Sequence, residues 1–163
     1  MTEAPSLRDQ IPLRDQISAA TKSAMREKDT VRLSTLRLMS AAIKDRDIAA
    51  RAADRCGGIE DVEILGILTK MVKQREEAAQ TYEDNGRPEL AEREREEIET
   101  VRAFMPTPMT DTEIEAAVAT AVEKSGATCL KDMGKVMGQL KTGYAGRIDM
   151  GKAGAVVKRH LCS

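Results

Sequence analysis

The chain has 163 residues, enough for one domain or two small ones and for a sizeable hydrophobic core. A hydrophobic fraction of 41% and a charged fraction of 33% are typical of a helical protein and exclude a disordered chain, and an aromatic fraction of 2% argues against a β-sandwich. No apolar run approaches the roughly 20 residues of a membrane span, and residues 1–17 lack the apolar core of a secretory signal.

Four helices are predicted in residues 13–105, after an N-terminal extension of residues 1–12. In this extension Leu7–Ile11 (LRDQI) is repeated as Leu13–Ile17, a duplication too short to be a structural repeat. Pro12 suits the first turn of a helix, so the first helix begins near Leu13. Apolar periodicity and stop signals predict three more helices: from Asp29 or Thr30 to Cys56-Gly57-Gly58, from about Glu60 to Asp84, and from Pro88 to about Met105.

The fourth of these helices is mostly charged. It offers little to bury beyond Leu90, Ile98, Val101 and Met105. A solvated amphipathic helix with i, i+4 ion pairs is therefore favoured over a functional acidic patch.

A boundary is predicted at Pro106-Thr107-Pro108, because two prolines in three residues break helix geometry. Residues 106–109 are then a linker, and residues 110–163 are a small basic domain of three helices. Thr110 opens the first of them with a capping box, and the other two run from Leu130 to about Leu140 and from about Asp149 to Leu161. No β-strand is needed, so the predicted fold is all-α.

Positive charge is concentrated at the C-terminal end. Residues 126–163 carry seven Lys or Arg and two acids, whereas the rest of the chain carries 19 basic and 25 acidic residues. A basic end on an acidic body is expected for a polyanion-binding protein, and it is also compatible with docking against the chain's own acidic helices.

The stretch Lys131–Lys152 is also rich in glycine. Gly134 and Gly138 are four residues apart and share one helical face, where they could admit a ligand backbone or a neighbouring helix. The same close backbone approach is predicted at Gly143 and Gly146. The basic residues predicted to contact RNA in and after this stretch are Lys131, Lys135, Lys141, Arg147, Lys152, Lys158 and Arg159.

Nucleophilic and metal-ligating side chains are few and scattered. Cys56, Cys129 and Cys162 form neither a disulfide framework nor a metal-ligand pair, so reduced thiols and a cytoplasmic location are predicted. His160 is two residues from Cys162, on a different helix face, and is better interpreted as a frayed terminal histidine than as a catalytic one. We therefore predict no catalytic residue, no metal and no cofactor.

Shape-dependent recognition of folded RNA fits this composition best. Lysine and arginine neutralise phosphates, while the scarcity of aromatic residues argues against a stacking platform for single strands. Tyr144 is the one candidate for stacking, with a surface or hinge role as the alternative. A second basic patch on the N-terminal bundle, or simple pairing with its acids, is predicted for Arg32, Arg37, Lys73 and Arg75.

Several ordered motifs resemble the YqeY family, whose members are related to the tail domain of the GatB subunit of tRNA-dependent amidotransferase. They are VRLSTLRLMSAAIKDRDI (Val31–Ile48), Lys70–Glu99, Phe104–Val118, and KDMGKVMG followed by GRIDMGK. The tyrosine and isoleucine within KTGYAGRIDMGK, and the N-terminal duplication, depart from the family pattern.

The resemblance implies that the polyanion is tRNA. No DNA and no membrane are expected as partners. It implies an accessory protein that works in trans with an aminoacyl-tRNA synthetase or with amidotransferase subunits. The alternatives are a component of a carbon–nitrogen ligase that uses glutamine as amide donor, and a protein–protein interaction module whose basic end docks an acidic partner.

Overall fold

A computed structural model describes residues 11–162 of the chain, and within that range it is entirely helical, without a β-strand. The predicted all-α fold is confirmed. Within these residues, none of the helices is both long enough and apolar enough to pass through a bilayer. The helices are α1 (Leu13–Glu27), α2 (Thr30–Ala52), α3 (Asp61–Asp84), α4 (Pro88–Arg102), α5 (Asp111–Ser125), α6 (Met133–Gly143) and α7 (Met150–Leu161), with a 3₁₀ turn at Leu130–Asp132.

Local side-chain chemistry caps the starts of several helices. The Asp29 carboxylate accepts a hydrogen bond from the backbone N–H of Arg32 and caps α2. Thr110 and Glu113 form the predicted capping box of α5. The chain leaves α3 through Gly86, whose φ of 68° lies in the left-handed region. Of the predicted N-terminal extension, residues 1–10 with most of the first LRDQI copy lie outside the described part of the chain.

The chain divides into two compact units, residues 1–105 and 106–163. In the N-terminal unit α1 packs against α2, and α3 packs along α4. Its core is aliphatic and methionine-rich, as the composition requires. The side chains with no exposed surface in this core include Leu36, Met39, Ile64 and Leu68.

Arg14 and Asp47 join α1, α2 and the segment that leads into α3. Both terminal nitrogens of Arg14 donate to the Asp47 carboxylate, at 2.6 and 3.0 Å. The same carboxylate accepts from the backbone N–H of Ile59 at 3.0 Å, and Arg14 also donates to the Ile59 carbonyl. Because of the Arg14 hydrogen bonds first and the Ile59 N–H second, the pKa of Asp47 is lowered to about 2.

Ion pairs also connect α3 with α4. Arg75 donates through Nε to Glu97 at 3.0 Å, and their side chains are only 12% and 16% exposed. Arg102 reaches Glu76 at 2.5 Å. Within α4 the predicted i, i+4 pairing is seen for Arg93 and Glu97, at 3.9 Å, but closer ion pairs connect the helix to α3.

In the C-terminal unit α5, α6 and α7 pack against one another around one hydrophobic core. The chain just before α5 is tied to the turn between α6 and α7. The backbone N–H of Met109 donates to the Arg147 carbonyl at 2.9 Å, and Arg147 Nε donates to the Thr107 carbonyl at 3.1 Å. The fully buried core side chains include Val118, Val136, Leu140, Ala153 and Val157.

Candidate nucleic-acid interface

Helix α6 has one apolar face and one face of lysine and glycine. Val136 and Leu140 are fully buried in the core of the unit, with Met133 and Met137 packed beside them. The opposite side carries only exposed residues at helical spacing. We call it the lysine–glycine face, and it comprises Lys131 of the preceding 3₁₀ turn, Gly134, Lys135, Gly138 and Lys141.

The glycines of this face do not pack against another part of the described chain. A Cβ placed on Gly134, Gly138 or Gly143 would meet no atom within 4 Å. The alternative interpretation, in which Gly134 and Gly138 admit a neighbouring helix, is therefore wrong. Each glycine inside a helix costs about 1 kcal/mol relative to alanine, and no internal contact explains that cost here. Gly146 differs, because its φ of 72° meets the requirement of the turn before α7.

Three of the seven predicted RNA-contacting cations are paired with carboxylates at the start of α5. Lys152 Nζ lies 2.8 Å from Asp111 Oδ1, and this contact raises the pKa of Lys152. The other two pairs are Arg147 with Glu113 at 3.8 Å and Arg159 with Glu115 at 2.8 Å. Docking of basic residues on acidic ones is thus realised in part, within the C-terminal unit.

The other four cations form no ion pair within residues 11–162, and their side chains are exposed. Three of them, Lys131, Lys135 and Lys141, belong to the lysine–glycine face, and Lys158 lies in the last turn of α7. Lys135 Nζ donates to the Ser125 carbonyl at the C-terminal end of α5, at 3.1 Å. A continuous exposed positive face therefore remains on α6.

Asp132, the acid beside this face, is engaged with the backbone that precedes α6. Its Oδ2 accepts from the Thr128 N–H at 3.1 Å and from the Cys129 thiol at 3.5 Å. These contacts, that of Thr128 first, lower the pKa of Asp132. Asp132 therefore stabilises the turn that leads into α6.

The second predicted patch loses two of its four members. The Arg75 side chain is only 12% exposed and pairs with Glu97, which matches the alternative of simple pairing with the acids of the bundle. Arg32 lies 3.8 Å from Glu27. Arg37 and Lys73 are exposed and form no ion pair within the described chain.

The remaining candidates have simpler surroundings. Tyr144 is partly buried and packs against the core of the C-terminal unit, which reduces the ring surface it can offer to a base. His160 is exposed in the last turn of α7, and the three cysteines are free and exposed. Between residues 11 and 162 no cluster of three or more metal-ligating side chains occurs.

The pairing between α7 and α5 was missed by sequence reasoning. A signal for it exists, because Asp111 and Glu115 are four residues apart and share one face of a helix in the same small unit. Which cations meet them depends on how α7 packs, and local periodicity does not encode that.

Similarity to a known protein family covers nearly all of the described residues. A family model described as Yqey-like protein matches residues 14–161. Curated relatives include proteins named "Altered inheritance of mitochondria protein 41, mitochondrial". The one from Vanderwaltozyma polyspora is 28% identical over 118 residues, which cover 69% of this chain and 62% of the relative. The one from Eremothecium gossypii is 32% identical over 84 residues, which cover 52% of this chain and 44% of the relative.

The chain thus spans less than two thirds of the length of these relatives. Their names place them in mitochondria, and by this comparison the prediction of a cytoplasmic location is wrong. Because the family model covers nearly the whole chain, the protein belongs to the YqeY family.

Proposed function

We propose that this protein binds folded RNA, with tRNA as its ligand, and that it acts in trans with aminoacylation or amidation enzymes. The observation that carries the proposal is the lysine–glycine face of α6. There, three exposed lysines without carboxylate partners alternate with glycines at which an added Cβ would meet no atom within 4 Å. The predicted kinship with the tail domain of an amidotransferase subunit supports tRNA as the RNA in question.

The face suits recognition by shape. Lys131 to Lys141 extends over about 15 Å of helix, so the ammonium groups can follow a phosphate backbone. Between them Gly134 and Gly138 leave the helix surface without side chains. A sugar–phosphate strand can therefore approach the helix axis more closely than ordinary side chains would permit. Such a surface is compatible with recognition of an A-form helix through backbone and 2′-hydroxyl contacts.

A contribution to glutamine-dependent amide transfer would, in this proposal, consist of holding the tRNA substrate. In this proposal the partner enzyme supplies the chemistry of amide formation. Incubation of the protein with misacylated tRNA, ATP and glutamine should then yield no amide until the other subunits are added.

The decisive experiment compares two double charge reversals in the full chain. Fluorescence anisotropy with labelled tRNA, at 50 to 300 mM salt, measures affinity and its salt dependence. Lys131→Glu with Lys141→Glu should weaken binding at least tenfold and reduce the slope of log K against log salt by about 2. Lys22→Glu with Lys70→Glu, exposed lysines of the N-terminal unit, makes the same change in net charge and should have little effect.

Equal losses in the two variants would contradict the proposed surface. Weak tRNA binding that does not change between low and moderate salt would instead favour the protein-interaction alternative. A duplex DNA of similar size should bind more weakly than tRNA, because its groove geometry differs from the A-form.

A further inference from the structure

Helix α2 has a second apolar stripe that faces away from the core. Its inner face buries Leu36, Met39 and Ile43. On the other side Val31, Leu38 and Ile48 are 36%, 51% and 64% exposed, although large aliphatic side chains normally seek burial. Singly exposed apolar side chains need no explanation, but three that share one face of one helix make that face a candidate interaction surface.

The stripe follows a seven-residue repeat over the length of the helix. Positions 31, 38, 45 and 52 recur every seven residues, and positions 34, 41 and 48 fall three residues after the first three of them. This is the a/d pattern along which a second helix packs. All seven residues are exposed, namely Val31, Ser34, Leu38, Ala41, Asp45, Ile48 and Ala52.

A row of positive charge flanks the stripe on one side. Arg37, Lys44 and Arg51 are each one residue before an a position, which makes them g positions of the repeat. All three are exposed, and within residues 11–162 none of them forms an ion pair. The flank opposite is small or buried, with Thr35, Ala42 and Ala49 in the e positions.

We propose that α2 is a docking helix for an acidic amphipathic helix of a partner protein. Apolar residues of that helix would cover Val31, Leu38 and Ile48, and its carboxylates would pair with Arg37, Lys44 and Arg51. This surface lies in the N-terminal unit and its assignment does not depend on RNA binding by α6.

Small and polar residues in the stripe add specificity. Ser34 and Ala41 let a second helix come close to the backbone of α2. Asp45, at an a position between Leu38 and Ile48, favours a partner helix with a basic or polar residue at that level. A single polar residue in such a seam sets register and orientation at some cost in stability.

A second copy of this chain fits the surface poorly. If α2 paired with α2 in an antiparallel, two-fold arrangement, the two rows of Arg37, Lys44 and Arg51 would face each other, and like charges repel. Helix α4 is acidic, but among its residues no large aliphatic side chain is exposed, so it could not cover the apolar stripe. The charge pattern therefore favours a different protein.

Synthetic peptides of three heptads provide the test, with the full-length protein as receptor. One labelled peptide has leucine at its a and d positions, asparagine at the level of Asp45 and glutamate at the flanking positions. A matched peptide has lysine in place of glutamate. The wild-type protein should bind the glutamate peptide at least tenfold more tightly than the lysine peptide. The triple variant Arg37→Glu, Lys44→Glu, Arg51→Glu should invert that preference.

Two further variants separate the contributions. Leu38→Asn with Ile48→Asn should weaken binding of the glutamate peptide at least tenfold and leave thermal unfolding nearly unchanged, because both side chains are exposed. Lys22→Glu, Lys70→Glu, Lys73→Glu makes the same charge change elsewhere and should keep the wild-type preference.

Three outcomes would overturn the proposal. The first is equal binding of both peptides by the wild-type protein. The second is binding to phosphatidylglycerol vesicles that the triple variant loses while neither peptide binds, which would assign the stripe to a lipid surface. The third is a stable dimer in analytical ultracentrifugation that Leu38→Asn dissociates, which would assign it to a second copy.

Discussion

Lys152 on α7 donates to Asp111 in the first turn of α5, with 2.8 Å between Nζ and Oδ1. The pair lies in the same unit as the lysine–glycine face, and both side chains are exposed, at 59% and 77%. An exposed pair of this kind contributes little stability. Its larger effect is to occupy a cation that would otherwise be available to a polyanion.

Replacing Asp111 with asparagine should therefore tighten tRNA binding. The change removes one negative charge and releases Lys152, so we expect affinity at 50 mM salt to rise about threefold and the salt slope to steepen by up to about 1. Glu123→Gln is the matched control, since Glu123 is an exposed acid of α5 in no ion pair within the described chain. If both variants gain equally, net charge alone accounts for the effect. Anisotropy titrations with labelled tRNA distinguish the two cases.

Replacing Gly134 and Gly138 with alanine should stabilise the protein while weakening its binding to RNA. A Cβ at either position meets open space. The change at Gly138, inside the helix, should therefore add about 1 kcal/mol to the free energy of unfolding measured in urea, and the change at Gly134, in the first turn, should add less. The added methyl groups would hold a phosphate backbone away from the helix, and we expect tRNA affinity to fall severalfold. Gly66→Ala on α3, also in open space, should stabilise without affecting RNA. Unchanged tRNA affinity in the double variant would contradict close approach at α6.

The Asp47→Asn variant should lose stability in a pH-dependent way. The folded-state pKa of Asp47 is lowered from 3.8 to about 2, so its ionised form stabilises the fold fully above the unfolded value. That stabilisation disappears as the pH falls through about 2. Thermal unfolding followed by circular dichroism should show a constant deficit in melting temperature for the variant above about pH 5, shrinking toward pH 2.

Asp45→Asn is the control for this experiment, because Asp45 is exposed on the same helix and forms no ion pair in the described residues. If the melting temperature of Asp47→Asn is lowered by the same amount at every pH down to 2, the negative charge of Asp47 does not contribute to stability. The loss would then come from the changed hydrogen bonds to Arg14 and Ile59.

Replacing Arg75 with methionine should destabilise the N-terminal unit. The substitution keeps the aliphatic stem but leaves the Glu97 carboxylate, 16% exposed, without its closest cation. We expect a loss of about 2 kcal/mol in the free energy of unfolding. Arg93, the other cation near Glu97, is 64% exposed and 3.9 Å away, so Arg93→Met should cost less than about 0.5 kcal/mol. Similar losses from both changes would indicate that the two cations share the carboxylate.

The starts of α2, α5 and α7 were predictable because their causes are local, whereas α2 ends at Ala52, before the predicted stop at Cys56-Gly57-Gly58. Asp29, Thr110 and Asp149 each accept a hydrogen bond from a backbone N–H two or three residues ahead, so three or four letters of sequence are sufficient to locate the cap. Apolar periodicity located the buried face of α6 for the same reason, since Val136 and Leu140 are on one side of a single helix.

The sequence does not show which charged side chains are exposed and which form ion pairs. Arg75 and Lys73 are two residues apart on α3 and equivalent in charge, yet the Arg75 side chain is 12% exposed and pairs with Glu97, whereas Lys73 is exposed. The difference arises from the packing of α3 on α4, which joins residues 22 positions apart. The exposure of Gly134 and Gly138 was likewise not predictable. The spacing of two glycines on one helix face is the same whether the face packs against another helix or is exposed to solvent.

The chain contains two tyrosines and no tryptophan, and each compact unit holds one of the two. Tyr144 follows the last residue of α6 and packs against the C-terminal core, while Tyr82 belongs to α3. In a Tyr82→Phe background, ultraviolet emission would therefore come from a single fluorophore at the end of the helix that carries the lysines. Unlabelled protein could then report ligand docking on α6 optically, without an introduced dye.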